Sequence, residues 1–167
     1  ILDSIGNAAS LTTTNGEGCG YILPETGIMF NNMLGEEDLN PLGFHEWEKN
    51  QRLASMISPT IILKDDKPYI LCGSGGSNRI RSAMVQFIIN VLQKKMSFTD
   101  AILSPRIHLE GNELYFEPGL RKEILQYSDK FNLNEFKSLN LFFGGINAVS
   151  YEDCVSDLRR GGKCIIE

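Results

Sequence analysis

A glycine-rich segment between a predicted strand and a predicted helix is the strongest chemical signal in this sequence. It reads Gly73-Ser74-Gly75-Gly76-Ser77-Asn78. A loop of this kind points several backbone N–H groups at one place and adds the positive end of the helix dipole, so it suits an anion or an oxyanion. It is not a Walker loop, because no Gly-Lys-Ser/Thr follows. A tight strand-to-helix turn without a ligand is the alternative interpretation.

Two polar runs nearer the N-terminus carry further binding groups. Residues 12–15 read Thr-Thr-Thr-Asn, which offers hydroxyls and an amide to a site and equally fits the polar end of a strand. Residues 36–38 read Glu-Glu-Asp, which can hold an ammonium group and equally fits solvated surface. Neither His45 nor His108 belongs to a recognisable Ser or Cys arrangement, so we expect His108 to be a structural, hydrogen-bonded residue.

The four cysteines, Cys19, Cys72, Cys154 and Cys164, form no CxxC pair and stand apart from both histidines. We therefore expect no zinc site, and no other metal or cofactor. Four scattered thiols are not a disulfide framework, so free and mostly buried thiols are expected. Cys154 and Cys164 become neighbours only if their segments pair.

Length and composition bound the class of protein. The chain has 167 residues, 42% of them hydrophobic, and a formal net charge of −5. We predict a single domain over residues 1–167, which at this size buries about 70% of its unfolded surface. The acidic balance argues against a nucleic-acid partner. No apolar run approaches the roughly 20 residues that cross a bilayer, so no membrane partner is expected.

The elements that position these groups alternate along the chain. Amphipathic periodicity predicts a helix over about 79–95, with shorter helices at 98–103 and near 120–130. A hairpin is predicted over 60–64 and 68–72, with both strands buried on both faces. Other strands are predicted at 7–14, 21–23, 106–109, 113–116, 139–143, 147–151 and 163–166. The pattern favours one α+β domain, a mostly antiparallel sheet with two main helices packed on it.

Several motifs occur in an order that is typical of one family. They are Asp3-x-x-Gly6-Asn7-Ala8-x-Ser10-Leu11-Thr12-x-Thr14, Gly27-Ile28-Met29-Phe30-Asn31-Asn32-Met33, Ser58-Pro59-Thr60-Ile61, Gly73-Ser74-Gly75-Gly76-Ser77-Asn78-Arg79-Ile80, Ser104-Pro105-Arg106-Ile107-His108 and Ser156-Asp157-Leu158-Arg159-Arg160-Gly161-Gly162. Over essentially the whole chain they closely resemble the small, C-terminal subunit of γ-glutamyltranspeptidase, also called glutathione hydrolase. The resemblance implies the N-terminal-nucleophile hydrolase fold, an αββα sandwich, of which this chain is the small-subunit portion.

The resemblance also implies a reaction. In that family a precursor cleaves itself, and the new N-terminal Thr of the small subunit attacks a γ-glutamyl amide such as glutathione, with its own α-amine as base. A γ-glutamyl-enzyme ester then passes to water or to an acceptor amine. The implied partners are a γ-glutamyl small molecule and either the large subunit of the same precursor or a second copy of this chain. The family implies a periplasmic or secreted enzyme, whereas the residues themselves leave a cytoplasmic location open.

Catalytic roles follow from the resemblance at four positions. Thr14 matches the threonine that hydrogen-bonds the nucleophile's hydroxyl. Gly75 and Gly76 match the glycine pair whose N–H groups form the oxyanion hole, and an ungapped alignment makes Ser77 the alternative. The glycine-rich loop is thereby expected to be a transition-state site, where one lost donor costs about 100- to 1000-fold in rate.

Substrate-binding roles follow in the same way. Asn15 matches, across a short gap, an asparagine on the α-amino side of the substrate. Glu36 falls at the acidic residue that grips the α-ammonium, with Glu37 close enough to compete. Ser55 matches one of two adjacent serines that bind the α-carboxylate.

The sequence departs from the family pattern at the substrate site and at its start. Met56 stands where the second serine is usual and Met33 where glutamine is usual, which favours a family member acting on poly-γ-glutamate or on other acyl amides. The nucleophile would precede Ile1, and neither it nor the large subunit is in this chain. We therefore expect the isolated chain to be inactive, and a non-catalytic truncated or relic fragment is the other alternative.

Overall fold

An antiparallel sheet that ends at the glycine-rich loop is the centre of the fold. The computed structural model describes residues 1–166, which cluster into two units: residues 13–56, and residues 1–12 together with 57–166. The single domain expected from composition stays a prediction. In chain order the elements are β1 (Thr60–Lys64), β2 (Lys67–Gly75), α1 (Arg79–Leu92), α2 (Phe98–Leu103), β3 (Ile107–Glu110), β4 (Glu113–Phe116), α3 (Arg121–Ile124), β5 (Asn132–Glu135), β6 (Gly145–Val149) and β7 (Cys154–Ser156).

Two sheets make up the β structure of the larger unit. The first has four antiparallel strands in the order β1-β2-β6-β7. The second has the order β3-β4-β5, with β3 and β4 antiparallel and β4 and β5 parallel. β2 is central in its sheet and is buried over residues 70–72, whereas β1 is an edge strand that exposes Ile61 and Leu63. The expected burial of both hairpin strands on both faces is therefore wrong for β1.

The helices form where the sequence predicts the strongest periodicity. α1 begins at Arg79 and buries a continuous apolar stripe, made of Ile80, Ala83, Met84, Phe87 and Val91. It ends at Leu92, three residues before the predicted end. α2 has the predicted bounds, and the Ser97 side chain caps it by accepting the Asp100 N–H at 3.0 Å.

Several predicted strands are wrong, because local turns or side-chain contacts replace the ladder. Residues 7–14 and 21–23 form only the isolated bridges Leu2↔Ala8 and Ile22↔Met29. Residues 163–166 form no strand among the residues described. The predicted strand at 139–143 contains the 3₁₀ turn Leu141–Phe143, because the Asn140 side chain accepts the Phe142 N–H at 2.9 Å and caps the turn. The helix near 120–130 is α3 followed by the 3₁₀ turn Leu125–Tyr127.

Two of the cysteines correct the expectation of free thiols. Cys154 and Cys164 are joined in a disulfide, with Cα atoms 5.9 Å apart, because the C-terminal segment runs back past β7. Cys19 and Cys72 are free, the first exposed and the second buried. Within residues 1–166 no helix has both the length and the apolar character needed to cross a bilayer.

Candidate functional site

The glycine-rich loop joins the end of β2 to the start of α1. Gly76 has φ +134°, which favours glycine, and Ser77 has φ +50°. The first helical bonds run from the Arg79 N–H to the Gly76 carbonyl and from the Ile80 N–H to the Ser77 carbonyl, both at 3.0 Å. A loop that leads into a helix in this way is the type of segment that presents backbone N–H groups to an anion.

A second glycine pair packs against this loop and sets its shape. A Cβ on Gly76 would lie 2.8 Å from the Gly144 Cα, and a Cβ on Gly144 would lie 2.9 Å from the Gly75 carbonyl oxygen. Neither position therefore accepts a side chain. The Ser74 hydroxyl lies in the same contact, since it donates to the Gly75 carbonyl at 2.9 Å and accepts the Gly145 N–H at 3.2 Å.

Three arginines hold the 3₁₀ turn that leads into Gly144. The carbonyls of residues 141, 142 and 143 accept hydrogen bonds from Arg160 at 3.1 Å, Arg79 at 3.2 Å and Arg106 at 3.0 Å. The Arg160 guanidinium also lies beside the glycine-rich loop, with Nη2 3.6 Å from the place of a Cβ on Gly76. Burial and the nearby charge of Arg79 lower the pKa of Arg160. The loop thus has positive charge at its side.

A buried ionic cluster ties the C-terminal motif to the strand that follows α2. The Arg159 guanidinium donates to the Glu117 carboxylate at 2.7 and 2.5 Å and to Asp157 at 3.2 Å. Arg106 donates to Asp157 at 2.6 Å, and Asp157 also accepts the Ile146 N–H at 3.1 Å. All four charged side chains are almost completely buried. Two of the motifs that carry the family resemblance therefore meet in one structural contact.

In the other unit, Glu36 and Asn32 close over the backbone of Gly16. A Cβ on Gly16 would collide with the Asn32 Oδ1 and Glu36 Oε1 atoms, so this position needs glycine. Glu36 Oε1 is buried and finds no hydrogen-bond partner among residues 1–166. Burial, together with the charges of Asp38 and Glu17, raises the pKa of Glu36. The unit therefore holds a carboxylate with one buried oxygen that lacks a donor.

Of the other predicted residues of this unit, two make hydrogen bonds to nearby backbone and two have exposed side chains. The Thr14 Oγ1 accepts the Gly16 N–H at 3.0 Å, and the Asn15 amide donates to the Met29 carbonyl at 3.1 Å. Glu37 and Ser55 have exposed side chains. The unit thus brings Thr14 and Asn15 next to the Gly16 turn on which Glu36 lies.

The predicted site residues divide between the two units. Gly75, Gly76 and Ser77 belong to the larger unit, whereas the set formed by Thr14, Asn15, Glu36, Glu37 and Ser55 belongs to residues 13–56. Each half forms its own local arrangement. The catalytic and binding roles of these eight residues stay predictions.

Sequence reasoning missed four residues that shape the two halves. Ser74 and Gly144 fix the glycine-rich loop, Arg160 lies beside it, and Asn32 accepts the Glu17 N–H at 2.7 Å next to Glu36. The glycine pair at 144–145 was the available signal, because adjacent glycines often mark a close approach of backbones. The other three needed long-range contacts that a sequence alone does not give.

His108 makes a hydrogen bond of the kind expected of a structural residue, and its role stays a prediction. Its ring is 3% exposed, and its Nδ1 lies 2.8 Å from the Ser82 hydroxyl.

In the described part of the chain, no three His, Cys, Asp or Glu side chains come together in a way that could hold a metal ion.

Comparison with known proteins decides the family. The sequence model described as Gamma-glutamyltranspeptidase matches residues 1–166. This chain belongs to that family. It is 31% identical over 99% of its length to the Glutathione hydrolase proenzyme of Bacillus subtilis (strain 168), and it spans 30% of that protein. The chain thus spans 26% to 30% of the length of these curated Bacillus relatives, each named a proenzyme.

Solved structures confirm the predicted fold class. A γ-glutamyltranspeptidase from Pseudomonas nitroreducens complexed with L-DON superposes with a TM-score of 0.80 at 22% identity, over 100% of this chain and 97% of that one. The Bacillus anthracis transpeptidase enzyme CapD superposes with a TM-score of 0.78 at 29% identity, with the same coverage. The relatives of the chain also include the Acylase ACY 1 proenzyme of a Pseudomonas strain, at 28% identity over 90% of this chain and 27% of that protein.

Proposed function

We propose that this chain supplies substrate-binding and oxyanion-binding groups to a γ-glutamyl transferase or hydrolase that works with a large subunit. The observation that carries the proposal is the buried Glu36 oxygen that has no donor. The proposal assigns this chain the binding of the substrate and of its transition state.

An ammonium ligand supplies what the Glu36 environment lacks. A carboxylate without a donor is costly, and Glu17 and Asp38 add negative charge that raises its pKa further. A bound α-ammonium would bring both a donor and a positive charge, and charge-assisted hydrogen bonds of this kind are among the stronger ones in proteins. The α-amino group of a γ-glutamyl substrate is a ligand of this chemistry.

The glycine-rich loop is proposed to bind the oxyanion of the transition state. Attack on the γ-glutamyl amide turns its carbonyl oxygen into an oxyanion, and backbone N–H groups held in place stabilise that charge. Gly76 is a member of the donor pair whether the alignment carries a gap or not. The Arg160 guanidinium beside the loop adds positive potential where negative charge develops.

Two anilide substrates test the proposal in the complete gene product. L-γ-Glutamyl-p-nitroanilide carries the α-amino group, and glutaryl-p-nitroanilide is the same acyl chain without it. We expect kcat/KM to be at least about 100-fold higher for the γ-glutamyl substrate, because removal of the ammonium leaves Glu36 unpaired. Equal or faster hydrolysis of the glutaryl substrate would contradict the proposal.

Variants at two neighbouring carboxylates assign the ammonium contact. Glu36→Gln should raise KM for the γ-glutamyl substrate by about tenfold or more and leave the glutaryl rate unchanged. Glu37→Gln decides the alternative, since a larger loss there would transfer the contact to Glu37. Glu48→Gln changes an exposed carboxylate of the same unit and serves as the matched control.

Hydrolysis of other acyl amides is the second candidate function. Met33 and Met56 replace two polar residues of the family pattern, which favours a substrate site with less polar character. The chain is also similar to proteins named Acylase ACY 1 proenzyme and Capsule biosynthesis protein CapD proenzyme, at 28% and 30% identity. A preference for the glutaryl over the γ-glutamyl anilide would support this candidate, and turnover of neither would support a non-catalytic protein.

A further inference from the structure

The Ser74 hydroxyl forms a bridge between the two glycine pairs. It is 3% exposed, donates to the Gly75 carbonyl at 2.9 Å and accepts the Gly145 N–H at 3.2 Å. Gly75 and Gly145 are themselves paired across β2 and β6. The hydroxyl therefore uses its proton and one lone pair to join the last residue of β2 to the first residue of β6.

The bond to the Gly75 carbonyl sets the direction of the next N–H. The peptide between Gly75 and Gly76 is trans, and in a trans peptide the carbonyl and the following N–H point in opposite directions. A hydroxyl that holds the carbonyl on one side thus holds the Gly76 N–H on the other. Without that bond, two glycines in sequence can rotate their shared peptide at low cost, because glycine restricts φ and ψ least.

Gly144 limits the same peptide from a second direction. Its Cα lies 2.8 Å from the place of a Cβ on Gly76, and the place of its own Cβ is 3.0 Å from the Ser74 hydroxyl. The contact leaves room for one arrangement of backbone and hydroxyl. Ser74 holds this arrangement by hydrogen bonds, and Gly144 restricts it by close van der Waals contact.

We propose that Ser74 is a positioning residue for the oxyanion hole, whose hydroxyl keeps the Gly76 N–H turned toward the substrate oxygen. The proposal rests on the proposed function for the part that concerns catalysis. The orientation of the peptide itself rests only on the Ser74, Gly75 and Gly145 contacts.

Steady-state kinetics of the complete gene product test the catalytic part. Ser74→Ala should lower kcat for L-γ-glutamyl-p-nitroanilide by about 10- to 100-fold and change KM by less than about threefold, because a misplaced donor affects the transition state more than the bound substrate. Ser74→Thr keeps the hydroxyl and should retain more of kcat than Ser74→Ala does. Ser10→Ala removes a hydroxyl that donates to the Cys72 carbonyl on the same strand at 3.1 Å, and it should leave both constants unchanged.

Amide hydrogen exchange tests the orientation independently of activity. Ser74→Ala should speed exchange in peptides that cover residues 75–78 and residue 145, whereas Ser74→Thr and Ser10→Ala should not. Inactivity of the wild-type protein on every acyl anilide would overturn the proposed function, and the exchange data would still decide the orientation. Equal losses of kcat in the Ala and Thr variants, or unchanged exchange in Ser74→Ala, would overturn the role of the hydroxyl.

Discussion

Glu36 is a residue at which the candidate site is expected to lower the stability of the unliganded fold. Its buried oxygen lacks a donor, and its pKa is raised above the usual 4.5 by burial and by the charges of Asp38 and Glu17. Groups with perturbed pKa values and unmet hydrogen bonds concentrate where ligands bind. A ligand with a positive charge would reverse the penalty.

This penalty predicts a pH-dependent gain in stability for Glu36→Gln. A carboxyl whose pKa is raised by folding binds more protons in the folded state, so stability falls as pH rises from 4.5 through the folded pKa. Calorimetry without ligand should therefore give a higher Tm for Glu36→Gln than for wild type at pH 7. The gain should disappear below about pH 4, where both states of the wild type are protonated.

The exposed Glu48→Gln variant is the control, because the same loss of one charge there should give no pH-dependent difference. A Glu36→Gln variant that is less stable than wild type at pH 7 would show that Glu36 is stabilised by partners within the fold. The proposal that Glu36 binds an ammonium group would then lose its support.

At the scale of elements, the buried ionic cluster secures the segment that carries Arg160. Asp157 accepts bonds from Arg106 and Arg159 and from the backbone of β6, and the Cys154–Cys164 disulfide encloses the same segment. Breaking a buried pair by removing one partner leaves the other charge uncompensated and costs about 3–5 kcal/mol. The cluster therefore supports both β6 and the turn beside the glycine-rich loop.

Asp157→Asn should accordingly lower the free energy of unfolding by about 3–5 kcal/mol at pH 7. Burial alone would raise the pKa of Asp157, but the Arg106 charge and the backbone donors outweigh it and hold the pKa below the usual 3.8. The stabilisation is then fully present above pH 3.8 and is lost as pH falls through the folded pKa. Urea unfolding at pH 7 and pH 3 should show the difference between variant and wild type shrinking in acid.

Asp153→Asn offers a matched comparison in the same part of the chain. Asp153 contacts Ser150 through its backbone N–H and carbonyl, which the substitution keeps. An equal loss of stability in both variants would mean that the ionic cluster contributes nothing specific.

Elements whose cause is local could be predicted from the sequence, and those whose cause is distant could not. α1 follows from its apolar stripe, and α2 from the Ser97 cap and the proline after its end. β5 was missed because Asn132-Leu133-Asn134-Glu135 lacks β-branched and aromatic residues, and it forms where Asn132 and Asn134 donate to Glu113 on the neighbouring strand. The turn at 141–143 depends on arginines distant in sequence.

In the candidate site too, residues with a local sequence signal could be predicted, and residues placed by distant contacts could not. The glycine-rich loop and the acidic run were visible because their residue types are unusual where they stand. Ser74 accepts a hydrogen bond from the Gly145 N–H, 71 positions along the chain. The Arg160 side chain packs against the same glycine. Contacts of this kind depend on the strand order β2-β6, which hydrophobic patterning does not specify.

At the scale of the whole molecule, the exposed edge of the four-stranded sheet is the feature that composition did not reveal. Ile61 and Leu63 on β1 are 42% and 58% exposed, and Tyr69 on the neighbouring strand is 40% exposed. An edge strand with apolar side chains offers unpaired backbone groups to another chain. The β1 edge is therefore a candidate surface for association with another chain.

The purified 167-residue chain should therefore associate with itself when no partner covers this edge. Sedimentation velocity should show association that rises with concentration, and a double variant, Ile61→Lys with Leu63→Lys, should sediment as a monomer. Both side chains are exposed, so the double variant should change the free energy of unfolding by only about 1 kcal/mol. Val85→Lys, at an exposed apolar position of α1, is the control and should leave association unchanged. A wild-type chain that stays monomeric at every concentration would remove the β1 edge as an assembly surface.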